Sequence, residues 1–134
     1  MTSPMAAVGR AGECYVTMKL LKWEYSVIQC DSGHPFDLLV YKKDSSIKRI
    51  QVKSTSTETA RNDGRTSAYM FCTTKGSTNK SLYTEEEVDV FAFFAADIER
   101  VVFYSTILQH KKRVKRQVFF QQNARDELEK ILGF

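Results

Sequence analysis

The run Val88–Ala95 constrains the fold of this chain more than any other segment. It is apolar except for Asp89, contains neither Gly nor Pro, and is rich in strand-forming Val and Phe. Such a run predicts a β-strand, and the absence of polar alternation indicates that both faces of the strand are buried. We therefore expect a central strand in a sheet that the rest of the chain covers.

Helical periodicity occurs in two segments, one before that run and one after it. From Glu13 to about Tyr25 the sequence has no Gly or Pro, and apolar residues recur at spacings of four, three and four. This spacing predicts a helix whose packing face is formed by Cys14, Met18, Leu21 and Tyr25 and widened by Val16, Leu20 and Trp23. Asn123 is predicted to cap a closing helix whose shared face carries Ala124, Leu128, Ile131 and Leu132.

Short runs of strand-forming residues lie between the two helices. A polar turn at Lys42–Ser46 separates the second of these runs from the third, which predicts a β-hairpin. The order helix, hairpin, strands and helix predicts the α/β class, with a mixed β-sheet flanked by helices. We expect residues 1–134 to form a single domain. Besides the central strand, the predicted strands are Ser26–Gln29, Phe36–Tyr41, Ile47–Thr55, Thr66–Thr73 and Val101–Ser105.

Charged residues are segregated along the chain although the formal net charge is only +4. Five cations occur within Lys111–Arg116, whereas acidic residues gather at Glu85–Glu87 and near the C-terminal end. Basic clusters that are separated from acidic ones favour a polyanionic partner.

Cys14, Cys30 and Cys72 show no paired spacing of metal ligands, and His34 and His110 do not complete a zinc site. We expect the three thiols to be buried apolar side chains and not disulfides. No apolar run approaches the roughly 20 residues that span a bilayer. The first residues lack the features of a secretory signal, so we expect a cytoplasmic protein.

The two strands of the predicted hairpin carry polar residues where apolar ones are expected. Asp37 lies on the opposite side of its strand from Phe36 and Leu38, and Gln51 and Lys53 alternate with apolar residues in the partner strand. A register that pairs apolar positions with apolar positions therefore places Asp37, Gln51 and Lys53 on one face of the hairpin.

A carboxylate, an amide and an amine at one place suit phosphodiester hydrolysis. The carboxylate can bind Mg²⁺, which polarises a phosphate oxygen and lowers the pKa of an attacking water. Lysine can stabilise the negative charge that builds on the phosphoryl oxygens. Structural explanations also exist, because Asp37 can bind backbone groups, Lys53 can protect a sheet edge and Glu13 can favour a helix N-terminus. Three separate explanations are then needed, so we favour a joint site.

With these residues in this order, the sequence resembles the PD-(D/E)xK nuclease superfamily. The pattern of that superfamily is a helix with an acidic residue, a strand carrying Asp, and a hairpin partner carrying (D/E)-x-K. The corresponding segments here are Gly9–Glu13, His34–Asp37 and Ile50–Ser54, and the start of the apolar run resembles the later core strand. The resemblance extends from about Gly9 to Ser105 and implies a restriction-endonuclease-like core.

The resemblance also implies roles for individual residues. Asp37 and Glu13 would bind Mg²⁺, or Mn²⁺ as a substitute, together with the main-chain carbonyl of Val52, and Lys53 would be the catalytic lysine. Gln51 stands where the family usually has Asp or Glu, so the number of bound metal ions stays open and a one-metal site becomes an option. A Gln variant also occurs in the small endonucleases encoded in group I introns, which the chain resembles most. Archaeal Holliday junction resolvases are the next most similar group.

The implied function is Mg²⁺-dependent hydrolysis of double-stranded DNA at a specific site, as in homing. A junction resolvase acting on branched DNA is one alternative, an RNA-processing nuclease is another, and a non-catalytic DNA-binding protein on a degenerate nuclease scaffold is the alternative from a different class. Cutting two strands requires two active sites, so we expect a homo-oligomer, either a dimer or a tetramer. The predicted DNA contacts are Arg10, Lys42, Lys43, Arg61, Arg65, Lys75, Lys80, Lys111, Lys112, Arg113, Lys115 and Arg116.

Overall fold

The computed structural model describes residues 4–31, 33–60, 67–75, 81–105 and 111–133. Its helices are α1 (Pro4–Lys22), α2 (Arg116–Gln121) and α3 (Ala124–Leu132). Its strands are β1 (Ser26–Gln29), β2 (Leu38–Tyr41), β3 (Lys48–Thr55), β4 (Tyr69–Cys72), β5 (Thr74–Lys75), β6 (Ser81–Leu82), β7 (Val90–Ala95), β8 (Arg100–Tyr104) and β9 (Lys111–Val114).

Five of the strands form one mixed sheet, as predicted. Their order is β1-β2-β3-β7-β8, with β3 and β7 parallel and every other neighbouring pair antiparallel. Strand β7 is buried along its whole length, which confirms that the apolar run of the sequence is buried on both faces. The predicted hairpin is also confirmed, since β2 and β3 pair with Leu38 opposite Ile50.

Both faces of the sheet are covered, each by a different layer. Helices α1 and α3 pack on one face, where Val16, Leu20 and Leu128 join the side chains of the sheet. On the other face, the β4–β9 ribbon and α2 contribute Tyr69, Phe71 and Phe119 to a second apolar cluster. The sequence predicts neither β9 nor α2, because the charges of this segment hide Val114 and Phe119, which are buried in the second cluster.

Helix α1 differs from its prediction in extent and in packing face. It begins at Pro4 and not at Glu13, and it contains both early glycines. Its buried residues are Gly12, Val16 and Leu20, whereas most of the predicted face is exposed: Cys14, Met18 and Leu21. The sequence of this helix carries two apolar faces. The sheet packs against the one with Gly12, because the absence of a side chain there lets the helix approach β3 closely.

Two smaller expectations concern the cap of the closing helix and the burial of the cysteines. The closing helix is capped as predicted, with the Asn123 Oδ1 accepting a hydrogen bond of 3.1 Å from the Asp126 backbone N–H. The cysteine prediction is wrong for burial, because Cys14 and Cys72 are exposed and Cys30 is only partly buried, although none of the three forms a disulfide. Among the described residues, no helix is both long enough and apolar enough to cross a membrane.

Candidate active site

The β2–β3 hairpin fixes the position of Asp37, which lies just before β2. Its backbone N–H donates to the Ile50 carbonyl at 2.9 Å, and its own carbonyl accepts from the Cys30 N–H at 2.8 Å. Its side-chain Oδ2 accepts a hydrogen bond of 2.8 Å from the Val52 N–H. The carboxylate is therefore held against the strand that carries Gln51 and Lys53.

Helix α1 brings Glu13 to the same place, where its side chain hydrogen-bonds that of Asp37. Burial and the adjacent Asp37 carboxylate raise the pKa of Glu13 to about 7, against a smaller opposing effect of Arg10. Burial also raises the pKa of Asp37, and this outweighs its hydrogen bonds from Val52 and Glu13 and the charge of Lys53. The two carboxyl groups therefore lie together in a partly buried environment in which ionisation of both is unfavourable.

The ammonium group of Lys53 lies near Asp37 and is held by two other residues. Its Nζ donates to the Tyr83 hydroxyl at 3.1 Å and to the Thr74 carbonyl at 3.3 Å, and it lies 5.0 Å from the centre of the Tyr83 ring. Burial lowers the pKa of Lys53, although the nearby Cys72 and Asp37 oppose this shift. The sequence gives no signal for the roles of Tyr83 and Thr74, because both lie far from the motif along the chain.

Gln51 is nearly buried, with 8% of its surface exposed. Its side-chain Nε2 donates to the Val52 carbonyl at 3.3 Å, so the amide contacts the same carbonyl oxygen that the sequence resemblance names as a metal ligand. The structure thus brings together all five predicted positions: Glu13, Asp37, Gln51, Val52 and Lys53.

The donor chemistry of this cluster fits a hard divalent cation such as Mg²⁺. Two carboxylates and a backbone carbonyl supply oxygen ligands, which Mg²⁺ prefers. A cation between Glu13 and Asp37 would also offset the burial that raises the pKa of both groups, and at Glu13 it would offset the repulsion from Asp37. In the described part of the chain, no group of three or more His, Cys, Asp or Glu side chains could hold a metal ion.

Some predicted DNA contacts lie close to the cluster. Strand β9 pairs with β4 so that Lys111 is opposite Cys72, and Cys72 is near enough to Lys53 to influence its pKa. The basic strand β9 therefore runs beside the candidate site. Arg10 is on the same helix as Glu13 and also acts on its pKa.

Other predicted contacts are engaged elsewhere or lie away from the cluster. Lys42 is at the end of β2 opposite to Asp37, with its Nζ 4.4 Å from the centre of the Tyr25 ring and 3.9 Å from a Glu129 oxygen. Its exposed neighbour Lys43 is at the same end. The Lys112 Nζ lies 4.7 Å from the centre of the Tyr104 ring, and the Arg116 Nη1 lies 4.0 Å from the Glu58 Oε1. Arg113 is partly buried and Lys115 is exposed. Arg61, Arg65 and Lys80, and the side chains of Lys75 and Lys111, lie outside what the structure describes.

Comparison with known proteins identifies the family. A family model described as PD-(D/E)XK endonuclease matches residues 5–130. The chain belongs to the PD-(D/E)XK endonuclease family. The order of Glu13, Asp37 and Lys53 along the chain follows the pattern of that family, with Gln51 in place of the second acidic residue.

A search of solved structures supports the same fold. The structure titled "The structure of a bacterial homing endonuclease: I-Ssp6803I" is similar to this PD-(D/E)XK chain with a TM-score of 0.75 and 14% sequence identity, over 98% of this chain and 95% of that one. At this identity the likeness shows the fold alone, which is the restriction-endonuclease-like arrangement of a mixed sheet flanked by helices. No curated protein matches the chain significantly.

Proposed function

We propose that this protein is a Mg²⁺-dependent endonuclease that hydrolyses phosphodiester bonds in double-stranded DNA, and that residues 1–134 form one catalytic domain. The observation that carries the proposal is the placement of Glu13, Asp37 and Lys53 in one cluster, on the elements that bear the family pattern. Membership of the PD-(D/E)XK endonuclease family supports nuclease chemistry. Metal dependence, the form of the DNA and the residue roles are parts of the proposal.

In this mechanism Glu13, Asp37 and the Val52 carbonyl would hold the metal ion. The bound ion would polarise a phosphate oxygen and make water a stronger nucleophile. Lys53 stabilises the charge that develops on the phosphoryl oxygens, because Tyr83 and Thr74 hold its ammonium group beside Asp37. Gln51 orients water through its amide, since an amide oxygen is a weaker metal ligand than a carboxylate. Two acidic ligands favour one metal ion over two.

Cleavage at a specific site, as in homing, is the preferred form of this activity. The similar solved structure is that of a bacterial homing endonuclease, and Gln51 matches the motif variant of intron-encoded relatives. Junction resolution remains the second candidate within the same chemistry. Either reaction cuts two strands and so favours a homo-oligomer with two active sites.

Cleavage of supercoiled plasmid, linear duplex and four-way junction DNA with Mg²⁺ or Mn²⁺, each against a chelator control, tests the proposal. Nicked or linear products are expected from the wild type, and the Asp37→Ala and Lys53→Ala variants should lose this activity. Mapping the cut ends then separates a site-specific enzyme from a junction resolvase. Cleavage that survives both substitutions would show that the active site lies elsewhere. DNA binding without cleavage of any form would support a non-catalytic scaffold, for which Gln51 is the best evidence, and cleavage of RNA alone would support an RNA-processing enzyme.

A further inference from the structure

Exposed large apolar side chains are concentrated at one edge of the main sheet. Of the described residues, six large hydrophobic side chains are exposed: Met5, Met18, Leu21, Ile28, Ile47 and Phe120. Three of them, Met18, Leu21 and Ile28, lie on the C-terminal part of α1 and on β1, which is the first strand of the sheet order. Clustered exposure of this kind marks an interaction surface more often than scattered exposure does.

The backbone of β1 is open on the side away from β2. The Cys30 N–H donates to the Asp37 carbonyl, and the pairing of Ile28 with Leu39 continues this register. Because alternate residues of a strand direct their backbone groups to opposite sides, the N–H and C=O groups of Val27 and Gln29 point away from the sheet.

The two edges of the sheet differ in how far other elements cover them. At the other edge, α2 and α3 pack against β8, and the Gln122 side chain accepts a hydrogen bond of 3.1 Å from the Phe103 N–H. The β1 edge has no such cover among the described residues. Its sequence, Ser26–Gln29, also lacks the charges and prolines with which proteins usually block an exposed strand.

Apolar surface borders this open edge on both faces of the sheet. Val27 packs towards α1, and the Gln29 Nε2 lies 3.3 Å from the Thr17 Oγ1, so Ile28 points to the opposite face. On the α1 face, a shallow groove of about 530 Å³ is lined by Cys14, Thr17, Met18, Leu21, Lys22 and Gln29. A strand added at this edge would therefore cover Ile28 on one face and the groove on the other.

We propose that this surface, consisting of β1 and the outward face of α1 from Cys14 to Lys22, binds a second copy of the same chain. Two β1 strands would pair antiparallel about a two-fold axis at Ile28. Val27 of each copy would exchange both backbone hydrogen bonds with Gln29 of the other. The two Ile28 side chains would then form a non-hydrogen-bonded pair, in which side chains are closest.

A second copy fits this edge better than an unrelated protein for two reasons. An uncharged strand is compatible with itself, because two-fold pairing brings no like charges together within Ser26–Gln29. The pairing would also place two Asp37 residues roughly 20 Å apart on the same side of one continuous sheet, given strand spacing and rise. This second reason rests on the proposed cleavage of both DNA strands. Such cleavage needs two active sites, and this surface would be the interface that joins them.

A cross-linking experiment on the full chain without DNA tests the interface. In a background with Cys14, Cys30 and Cys72 replaced by Ser, Ile28→Cys should form a disulfide-linked dimer under mild oxidation. Paired Cα atoms at such a position lie about 4.5 Å apart, within the range of a disulfide. The matched control is Ile47→Cys, because Ile47 is as exposed as Leu21 but lies in neither β1 nor α1.

Sedimentation provides the second measurement. Ile28→Lys should raise the dimer dissociation constant at least ten-fold, and Ile47→Lys should leave it unchanged. A wild type that stays monomeric together with no Ile28 cross-link, or a dimer that both lysine variants affect equally, would overturn the proposed interface. Failure of the nuclease proposal gives a different result, namely a dimer that cross-links at Ile28 and cleaves no DNA.

Discussion

Strand β3 carries a cation near each of its ends, each beside a carboxylate from a neighbouring segment, and the two pairs behave in opposite ways. Near the start of the strand, Arg49 binds Asp89, whose Oδ2 accepts from the Arg49 N–H at 2.7 Å and from its Nε at 3.0 Å. Near the end of the strand, Lys53 lies beside Asp37, but its Nζ donates to Tyr83 and Thr74. Arg49 and Asp89 form a direct ion pair, whereas Lys53 hydrogen-bonds to groups other than Asp37.

The pKa directions express this difference. Burial alone would raise the pKa of Asp89, but its hydrogen bonds from Arg49 outweigh burial and lower it, and the same bonds raise the pKa of Arg49. In the other pair burial prevails, so the pKa of Asp37 is raised and that of Lys53 is lowered. Charged groups that the fold leaves under-compensated are typical of functional sites, whereas mutually satisfied pairs are typical of structural ones.

The largest test of this comparison applies one substitution to both carboxylates. Asp37→Asn should reduce DNA cleavage by at least about 10²–10³-fold, the loss that follows removal of one electrostatic stabiliser from an active site. It should not destabilise the metal-free protein, because a neutral amide removes a charge that the fold disfavours. Cleavage rates and urea unfolding midpoints measure the two effects.

Asp89→Asn is the matched control and should show the reverse pattern. Loss of charge-assisted hydrogen bonds to Arg49 should lower the free energy of unfolding by about 2 kcal/mol, while cleavage below the unfolding temperature stays close to that of the wild type. If Asp89→Asn abolished cleavage in a folded protein, or if Asp37→Asn lowered only stability, the assignment of a structural and a functional end to β3 would be reversed.

The sequence predicts the functional end of β3 better than it predicts what supports it. Strand parity places Asp37 and Lys53 on one face, because a one-residue slip would bury charge, and the register of Leu38 with Ile50 agrees. Tyr83 contacts Lys53 only through tertiary packing, so no local sequence pattern predicts this contact. The packing face of α1 was predicted wrongly for a related reason. A search for apolar periodicity gives weight to large apolar side chains and overlooks Gly12, which allows close packing because it has no side chain.

Gly12 therefore provides the second test, because it sets how closely α1 approaches the functional end of β3. A Cβ at this position would overlap the Ser54 Oγ and lie 3.2 Å from a Phe94 ring carbon. Gly12→Ala should push α1 away from β3, lower the free energy of unfolding by about 1–3 kcal/mol, and reduce cleavage as Glu13 moves from Asp37.

Gly9→Ala is the control in the same helix, since a Cβ there would meet nothing within 4 Å. It should raise the free energy of unfolding by about 0.5–1 kcal/mol through helix propensity and leave cleavage intact. If both substitutions raised the free energy of unfolding equally, helix propensity, and not the close contact with Ser54, would govern Gly12.

The smallest expected effect is a pH dependence of stability that the two ends of β3 drive in opposite directions. In the metal-free protein, burial and Asp37 raise the pKa of Glu13 from its ordinary 4.5 to about 7. As pH rises from 4.5 to 7, the unfolded chain releases this proton and the folded chain keeps it, so the free energy of unfolding falls across that window. The hydrogen bonds from Arg49 lower the pKa of Asp89, so Asp89 stabilises the fold above the ordinary pKa of an aspartate, and this contribution is lost on acidification. Urea midpoints in chelator from about pH 3 to 8 should show that Glu13→Gln flattens the neutral slope and Asp89→Asn flattens the acid one. A neutral slope that persists unchanged in Glu13→Gln would assign the raised pKa to a carboxyl group other than Glu13.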